Sequence, residues 1–238
     1  MHRRLLTLLL ILWTTAGAEE IRVAVAANFV TTAKTLAEAF ANHSGHQVRL
    51  SSAATGIHYA QISHGAPFDL FLAADRRRPE LLAKAGRGRM PAVYARGRLV
   101  FWAPGVKGDD DACRKLLRPG ARIALADPHL APYGRAAREV LETLGLGEQD
   151  LELVQGQNVA QTFAFVASGA VSGGFVAASQ LVGRRVRGCR WPVPQGFHQP
   201  IEQAAVLLAD RPAVKAFYRY LLGPEGRRII AAAGYDLP

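Results

Sequence analysis

The chain is poor in the residues on which most enzyme chemistry is built. It has 238 residues, with two cysteines, Cys113 and Cys189, and seven histidines. Neither cysteine stands in a C-x-x-C or Cys/His spacing, and His43, His46, His58 and His64 are scattered over a turn and a helix. That distribution argues against a metal or thiol redox centre, which needs its ligands gathered. The patterns G-x-S-x-G, H-E-x-x-H and G-x-x-x-x-G-K-[ST] are missing. No G-x-G-x-x-G follows the first apolar run, where a dinucleotide fold places it. No nucleic-acid signature with stacking aromatics is present. Past residue 18 no uninterrupted apolar stretch reaches membrane-spanning length.

What is present starts with an export signal. His2, Arg3 and Arg4 form a basic start, Leu5 to Trp13 an apolar run too short to span a bilayer, and Ala16-Gly17-Ala18 an A-x-A cleavage pattern. That layout predicts a signal peptide over residues 1–18 and a protein that works in the periplasm. No cysteine follows the cut, so a lipid anchor is not expected. Removing this segment, which holds two arginines and no acid, leaves 220 residues and lowers the formal charge from +10 to +8. With nucleic acid set aside, that excess suits an anionic surface or ligand. Arg76-Arg77-Arg78 and the group Arg184, Arg185, Arg187 and Arg190 are expected on the solvated surface, where their summed field steers anions. An even cysteine pair in an oxidising compartment predicts a Cys113–Cys189 disulfide.

Hydrophobic periodicity alternates strand and helix. Strands are expected at Ile21 to Ala27, Gln47 to Ser51 and Asp69 to Ala73, each followed by a helix: Thr31 to Ala41, Thr55 to His64 and Pro79 to Lys84. A second set follows. Arg98 to Ala103, Arg122 to Ala126, Leu151 to Val154 and Gly174 to Ala178 read as strands, Arg135 to Leu144 and Val159 to Ser168 as helices. Pro104 to Asp111 and Asp127 to Gly134 read as loops. Ile201 to Leu208 is a last strand before helices Val214 to Leu222 and Gly226 to Ala233. The pattern predicts an α/β fold with parallel sheets. Two lobes joined by crossing strands near Leu99–Ala103 and Ile201 to Leu208 is the economical arrangement; one doubly wound sheet is the alternative.

Four strand-to-helix loops share one character: Ala26-Ala27-Asn28-Phe29, Ser52-Ala53-Ala54-Thr55-Gly56, Ala131-Pro132-Tyr133-Gly134 and Gln157-Asn158-Val159. Each opens a helix, and none contains a carboxylate or a lysine. Helix starts carry unpaired N–H groups and the positive end of the helix dipole, so they receive anions without a charged side chain. In open α/β sheets these loops stand where ligands bind. Asn28 and Thr55 are also good N-cap residues, which gives them a purely structural explanation. A protonated oxyanion needs an acceptor for its hydrogen, and the loops offer no carboxylate. A fully ionised tetrahedral dianion (molybdate, tungstate or sulfate) fits better than phosphate. Against this stands a secreted hydrolase using Ser51 or Ser52 with His58 and Asp75, although nothing in their spacing supports a triad. A relative kept only for protein contacts is a further alternative.

Several segments resemble the periplasmic molybdate-binding proteins of ABC transporters. Gly65-Ala66-Pro67-Phe68-Asp69-Leu70-Phe71-Leu72-Ala73-Ala74-Asp75 is the specific block. Val25-Ala26-Ala27-Asn28-Phe29, Asp127-Pro128 and Phe217-Tyr218-x-Tyr220-Leu221-x-Gly223-Pro224-Glu225-Gly226 support it. The resemblance runs from Ile21 to Pro238. It implies a type II periplasmic-binding fold: two lobes, residues 19–98 with 203–238 and residues 99–202, closing on a ligand by a hinge. It implies oxyanion contacts at Asn28, Thr55, Tyr133 and, through its backbone, Val159, with molybdenum held only as the oxyanion. Many members have serine where this chain has Asn28 and Thr55, and a tyrosine of some members aligns with Ala177. Tyr133 is the expected replacement for that hydroxyl. The resemblance further implies a monomer without cofactor or catalytic activity, carrying molybdate or tungstate to an inner-membrane permease.

Overall fold

Buried β-branched runs set the frame. The computed structural model describes residues 17–238, so the expected signal segment lies outside them apart from Gly17 and Ala18. The first part of the chain forms β1 (Glu20–Ala26), α1 (Val30–Ser44), β2 (Gln47–Ala53), α2 (Thr55–Ser63), β3 (Leu70–Leu72), α3 (Arg77–Lys84) and β4 (Arg89–Gly97). Next come β5 (Leu99–Ala103), α4 (Asp110–Arg114), β6 (Arg122–Ala126), α5 (Pro132–Thr143), β7 (Glu152–Gly156), α6 (Val159–Ala167), β8 (Gly173–Ala177) and β9 (Cys189–Pro192). The chain closes with β10 (Ile201–Leu207), α7 (Pro212–Leu222) and α8 (Pro224–Ala232). Among the described residues no helix is long and apolar enough to cross a membrane.

These strands make two five-stranded sheets, ordered β2-β1-β3-β10-β4 and β7-β6-β8-β5-β9. Both follow one plan. Three strands run parallel, and a fourth (β10 or β5) joins antiparallel between the third and the edge strand. Strands covered by helices on both faces are apolar throughout, which is why Val23 to Ala26 and all of β8 are buried. Leu36 and Phe40 of α1, Phe217 and Leu221 of α7 and Ile230 of α8 fill the first lobe's core. Phe101, Ile123, Val140 and Phe175 do so in the second. Each such large side chain contributes about 1.5–3 kcal/mol relative to exposure.

The hinge differs from the expected crossing strands. β5 is hydrogen-bonded on both sides within the second sheet, and β10 on both sides within the first. The ladders tie each of these strands to one lobe, so neither crosses. The chain crosses instead at Arg98, the single residue between β4 and β5, and returns through residues 193–200. Since Ile201 and Glu202 pair with Gly97 and Arg96, the first lobe resumes two residues before the expected boundary at 203.

Three elements were not expected. β4 begins at Arg89-Met90-Pro91, a poor strand start, and Met90 has a φ of 53°. β9 has four residues and ends on Pro192. α4 is a five-residue helix inside the expected loop, capped by Asp109, whose side chain accepts from the Ala112 N–H at 3.0 Å. α5 starts at Pro132 rather than Arg135, because proline is well placed in a first helical turn. Tyr133 and Gly134 therefore belong to the helix. Gly134 lies so close to the end of β6 that a Cβ there would collide with the Ala126 carbonyl.

Candidate oxyanion site

The loops after β1, β2, β6 and β7 face one another across the two lobes. Asn28, Thr55, Tyr133 and Val159 line a single narrow cavity, with only small residues and Asn158 beside them. All four are buried, Asn28 being the most exposed at 5 %. Thr55 and Val159 are the first residues of α2 and α6, and Tyr133 is the second of α5. Their N–H groups are thus among those a helix start leaves without a partner. Among the described residues, neither these three nor the Asn28 N–H donates to a backbone carbonyl.

The capping explanation for Asn28 and Thr55 does not hold. The residues in the cap positions of α1 and α2 are Phe29 and Ala54, and neither makes a side-chain cap. Ala131 before α5 makes none either. Of the four helices that open onto the cavity only α6 is capped, by Asn158, whose Oδ1 accepts from the N–H groups of Ala160 and Gln161. The Thr55 hydroxyl accepts from the Ala74 N–H at 3.0 Å. Its own hydrogen is left to donate. No carboxylate, lysine or arginine lines the cavity.

Beneath it lies a buried polar network. The amide of Asn28 donates from Nδ2 to Gln203 Oε1 at 2.9 Å and to Tyr235 Oη at 3.2 Å. Tyr235 Oη donates to the Asn28 carbonyl at 2.8 Å and lies 2.9 Å from Ser179 Oγ in the second lobe. Gln203 Nε2 donates to Tyr133 Oη at 3.5 Å, again across the cleft. Burial pushes the Tyr133 phenol well above its ordinary value, with the neighbouring Tyr235 and Tyr94 adding to it, so the hydroxyl keeps its hydrogen. Burial likewise pushes Tyr235 up to about 12.

Two hydrogen bonds to backbone carbonyls also join the lobes beside the cavity. The Gly56 N–H donates to Leu130 O, and Arg78 Nη2 to His129 O, each at 2.8 Å. The lobes are closed on one another. Sequence reasoning found the four lining positions and missed Gln203, Tyr235 and Ser179. A glutamine inside the apolar run Ile201–Leu207 was the available signal; Tyr235 and Ser179 had none.

Other sequence candidates fall elsewhere. Ala177 ends β8 fully buried and outside the cavity lining. Ser51 and Ser52 are exposed on the edge strand β2. The His58 ring is bonded to Gln61, and the Asp75 carboxylate accepts from Arg78, so the three elements of a triad do not meet. Arg76 pairs with Glu80 on the surface, and Arg184 lies over the Phe163 ring. Cys113 and Cys189 are bonded, with Cα atoms 5.4 Å apart, tying α4 to β9 within the second lobe. Among the described residues no cluster of His, Cys, Asp and Glu could hold a metal ion.

Comparison with known proteins bears on this geometry. The model of the bacterial extracellular solute-binding protein family matches residues 21–236. The molybdate-binding protein ModA of Azotobacter vinelandii is 43 % identical over 235 residues, covering 93 % of this chain and 92 % of that protein. ModA of Rhodobacter capsulatus is 40 % identical over 227 residues, covering 92 % and 89 %. The solved structure of the Azotobacter vinelandii periplasmic molybdate-binding protein superimposes with a TM-score of 0.85 at 37 % identity, covering 92 % of this chain and 99 % of that one.

Proposed function

Because this chain belongs to the bacterial extracellular solute-binding family and, within it, to the molybdate-binding proteins, we propose that it captures molybdate or tungstate in the periplasm and delivers it to an ABC permease. The observation that carries the reading is the convergence of Asn28, Thr55, Tyr133 and Val159 on one cavity free of charged side chains.

A buried dianion must regain what it loses on leaving water. Here N–H groups at helix starts and two hydroxyls supply donors, and three helix dipoles point their positive ends at the ligand. No resident cation is needed. Closure of the lobes excludes water, and in the lower dielectric each donor interacts more strongly with the charge. A hydrogen phosphate brings a donor that meets no carboxylate, at a cost of about 1–3 kcal/mol. The ligand is cargo, not cofactor, and the protein acts as a monomer without catalysis. Residues 1–18 are removed on export, and the mature chain begins at Glu19.

A panel of oxyanions tests this by thermal shift and calorimetry, because a ligand stabilises the fold by RT ln(1 + [L]/Kd). Molybdate and tungstate should raise Tm strongly, sulfate less, and phosphate least. A sulfate response above that of molybdate would replace the ligand, and no response to any anion would defeat the reading.

A further inference from the structure

Gln203 has no exposed surface and stands outside the cavity's lining. It stands on β10 where the ladder with β4 slips: Gln203 pairs with Ala95 and Ala204 with Val93, so Tyr94 is the extra residue of a bulge. Bulges re-aim side chains. This one turns Tyr94 so that its hydroxyl lies 3.3 Å from Gln203 Oε1, the oxygen that also accepts from Asn28 at 2.9 Å. With its oxygen held on the first lobe, the amide presents Nε2 to Tyr133 Oη on the second, 3.5 Å away. Among the described residues Tyr133 is the one residue of the second lobe hydrogen-bonded to this amide.

We propose that Gln203 is a positioning residue that couples lobe closure to anion capture, anchoring Asn28 and turning the Tyr133 hydroxyl hydrogen toward the cavity. The chemistry follows from the donor inventory. A phenol has one hydrogen and accepts at its lone pairs. When Nε2 occupies a lone pair, the hydrogen must find an acceptor elsewhere, and an oxyanion in the cavity is that acceptor. The contact exists only with the lobes together, so it adds to binding by holding the closed state. The proposal rests on the cleft being an anion site.

Gln203→Glu keeps the size and the oxygen facing Asn28, but sets a second oxygen where Nε2 faced Tyr133. That oxygen draws the phenol hydrogen away from the cavity. Calorimetry at pH 8 should show molybdate affinity reduced at least tenfold, with stopped-flow placing most of the loss in faster dissociation. Gln203→Met removes both polar atoms and should cost roughly tenfold. In a Tyr133→Phe background its further effect should fall below about threefold, since the Tyr133 contact carries most of its effect and Asn28 keeps its bond to Tyr235. Tyr94→Phe, which leaves Asn28 Nδ2 still holding the same oxygen, should cost clearly less than Gln203→Met.

Parental affinity in Gln203→Glu and Gln203→Met would overturn the proposal. So would losses that multiply independently in the double variant, or a Tyr94→Phe loss as large as that of Gln203→Met, which marks a merely structural effect. A parent that does not bind molybdate defeats the anion reading, and this proposal with it; tight binding by parent and variants alike defeats the proposal alone.

Discussion

Asn28 and Gln203, 175 residues apart in the chain, meet side chain to side chain at 2.9 Å beneath the cavity. With Tyr235 taking the second bond from the same nitrogen, the Asn28 amide spends its hydrogens inward. The donor that Asn28 offers the cavity is its backbone N–H.

The donors of the cavity should therefore separate into side-chain and backbone classes. Thr55→Ala and Tyr133→Phe each delete a hydroxyl, and a charge-assisted bond contributes about 1.5–3 kcal/mol, so molybdate affinity should fall roughly ten- to hundredfold. Val159→Ala should change it little, its N–H remaining. Titration of each variant beside a melt without ligand checks this. Parental affinity in both hydroxyl variants would place the ligand elsewhere.

Gly97 should act as a clearance for closure. A Cβ at this residue, the last of β4, would overlap the Tyr133 hydroxyl and lies 3.1 Å from Gln203 Nε2. The hard overlap is with the other lobe, and the neighbour within its own lobe is the far end of a side chain. Gly97→Ala should thus weaken molybdate binding by tenfold or more, while small-angle scattering at saturating molybdate retains the dimensions of the more open protein. Normal affinity with full closure would contradict this.

Reduction of Cys113–Cys189 should destabilise the second lobe and leave the site chemistry intact. The bridge closes a loop with a sequence separation of 76. Such a crosslink contributes on the order of 4 kcal/mol when unfolded-state entropy dominates. A Cys113→Ser, Cys189→Ser protein should melt well below the parent yet bind molybdate at temperatures where it is folded. An unchanged melt, or free thiols in natively purified protein, would count against the bridge.

Alkali should unfold the protein before it abolishes anion recognition in the folded state. Tyr235 is raised to about 12 by burial, against 10.0 for the exposed group, and Tyr133 and Tyr94 are raised well above that value too. The folded state holds these protons more tightly, so their contribution is complete below pH 10 and is lost as pH climbs from 10 toward 12. Tyr235 contributes a slope of about 1.4 kcal/mol per pH unit over that range, and Tyr133 and Tyr94 act in the same sense. His58 has the opposite sense. Burial lowers its pKa below 6.5, so its contribution is complete above that pH and is lost as pH falls. Denaturant melts across pH should show both edges, with molybdate affinity flat between pH 7 and 9, since among the described residues Tyr133 is the only titratable side chain lining the cavity. His58→Gln should flatten the acid edge; an unchanged edge would reassign it.

Much of this was legible along the chain. Val23 to Ala26 of β1, Ile123 to Ala126 of β6 and all of β8 are buried on both faces and so read as continuous apolar runs, and α1 and α7 show their core faces at helical spacing. The four loops could be named because the end of a parallel strand and the start of the next helix are neighbours in sequence, and the resemblance to molybdate-binding proteins singled out one position in each. β4 and β9 escaped notice because pairing with an adjacent strand, and not local propensity, holds Met90, Pro91 and Pro192 in strands. The crossings escaped for the same reason, since sheet membership is decided by hydrogen bonds between distant strands.

By itself, then, the sequence determined the alternation of strand and helix, the export signal it predicts, and an uncharged set of helix starts suited to a dianion. Only the tertiary structure decided that Phe29 and Ala54, not Asn28 and Thr55, occupy the cap positions. It alone decided that the Asn28 amide turns inward, and that Gln203 and Tyr235 tie Asn28 to Tyr133 and Ser179. The physical reason is range. Capping and periodicity act within a few residues, whereas each bond of this network joins segments 56 or more residues apart, in register only once both sheets have formed and the lobes have closed.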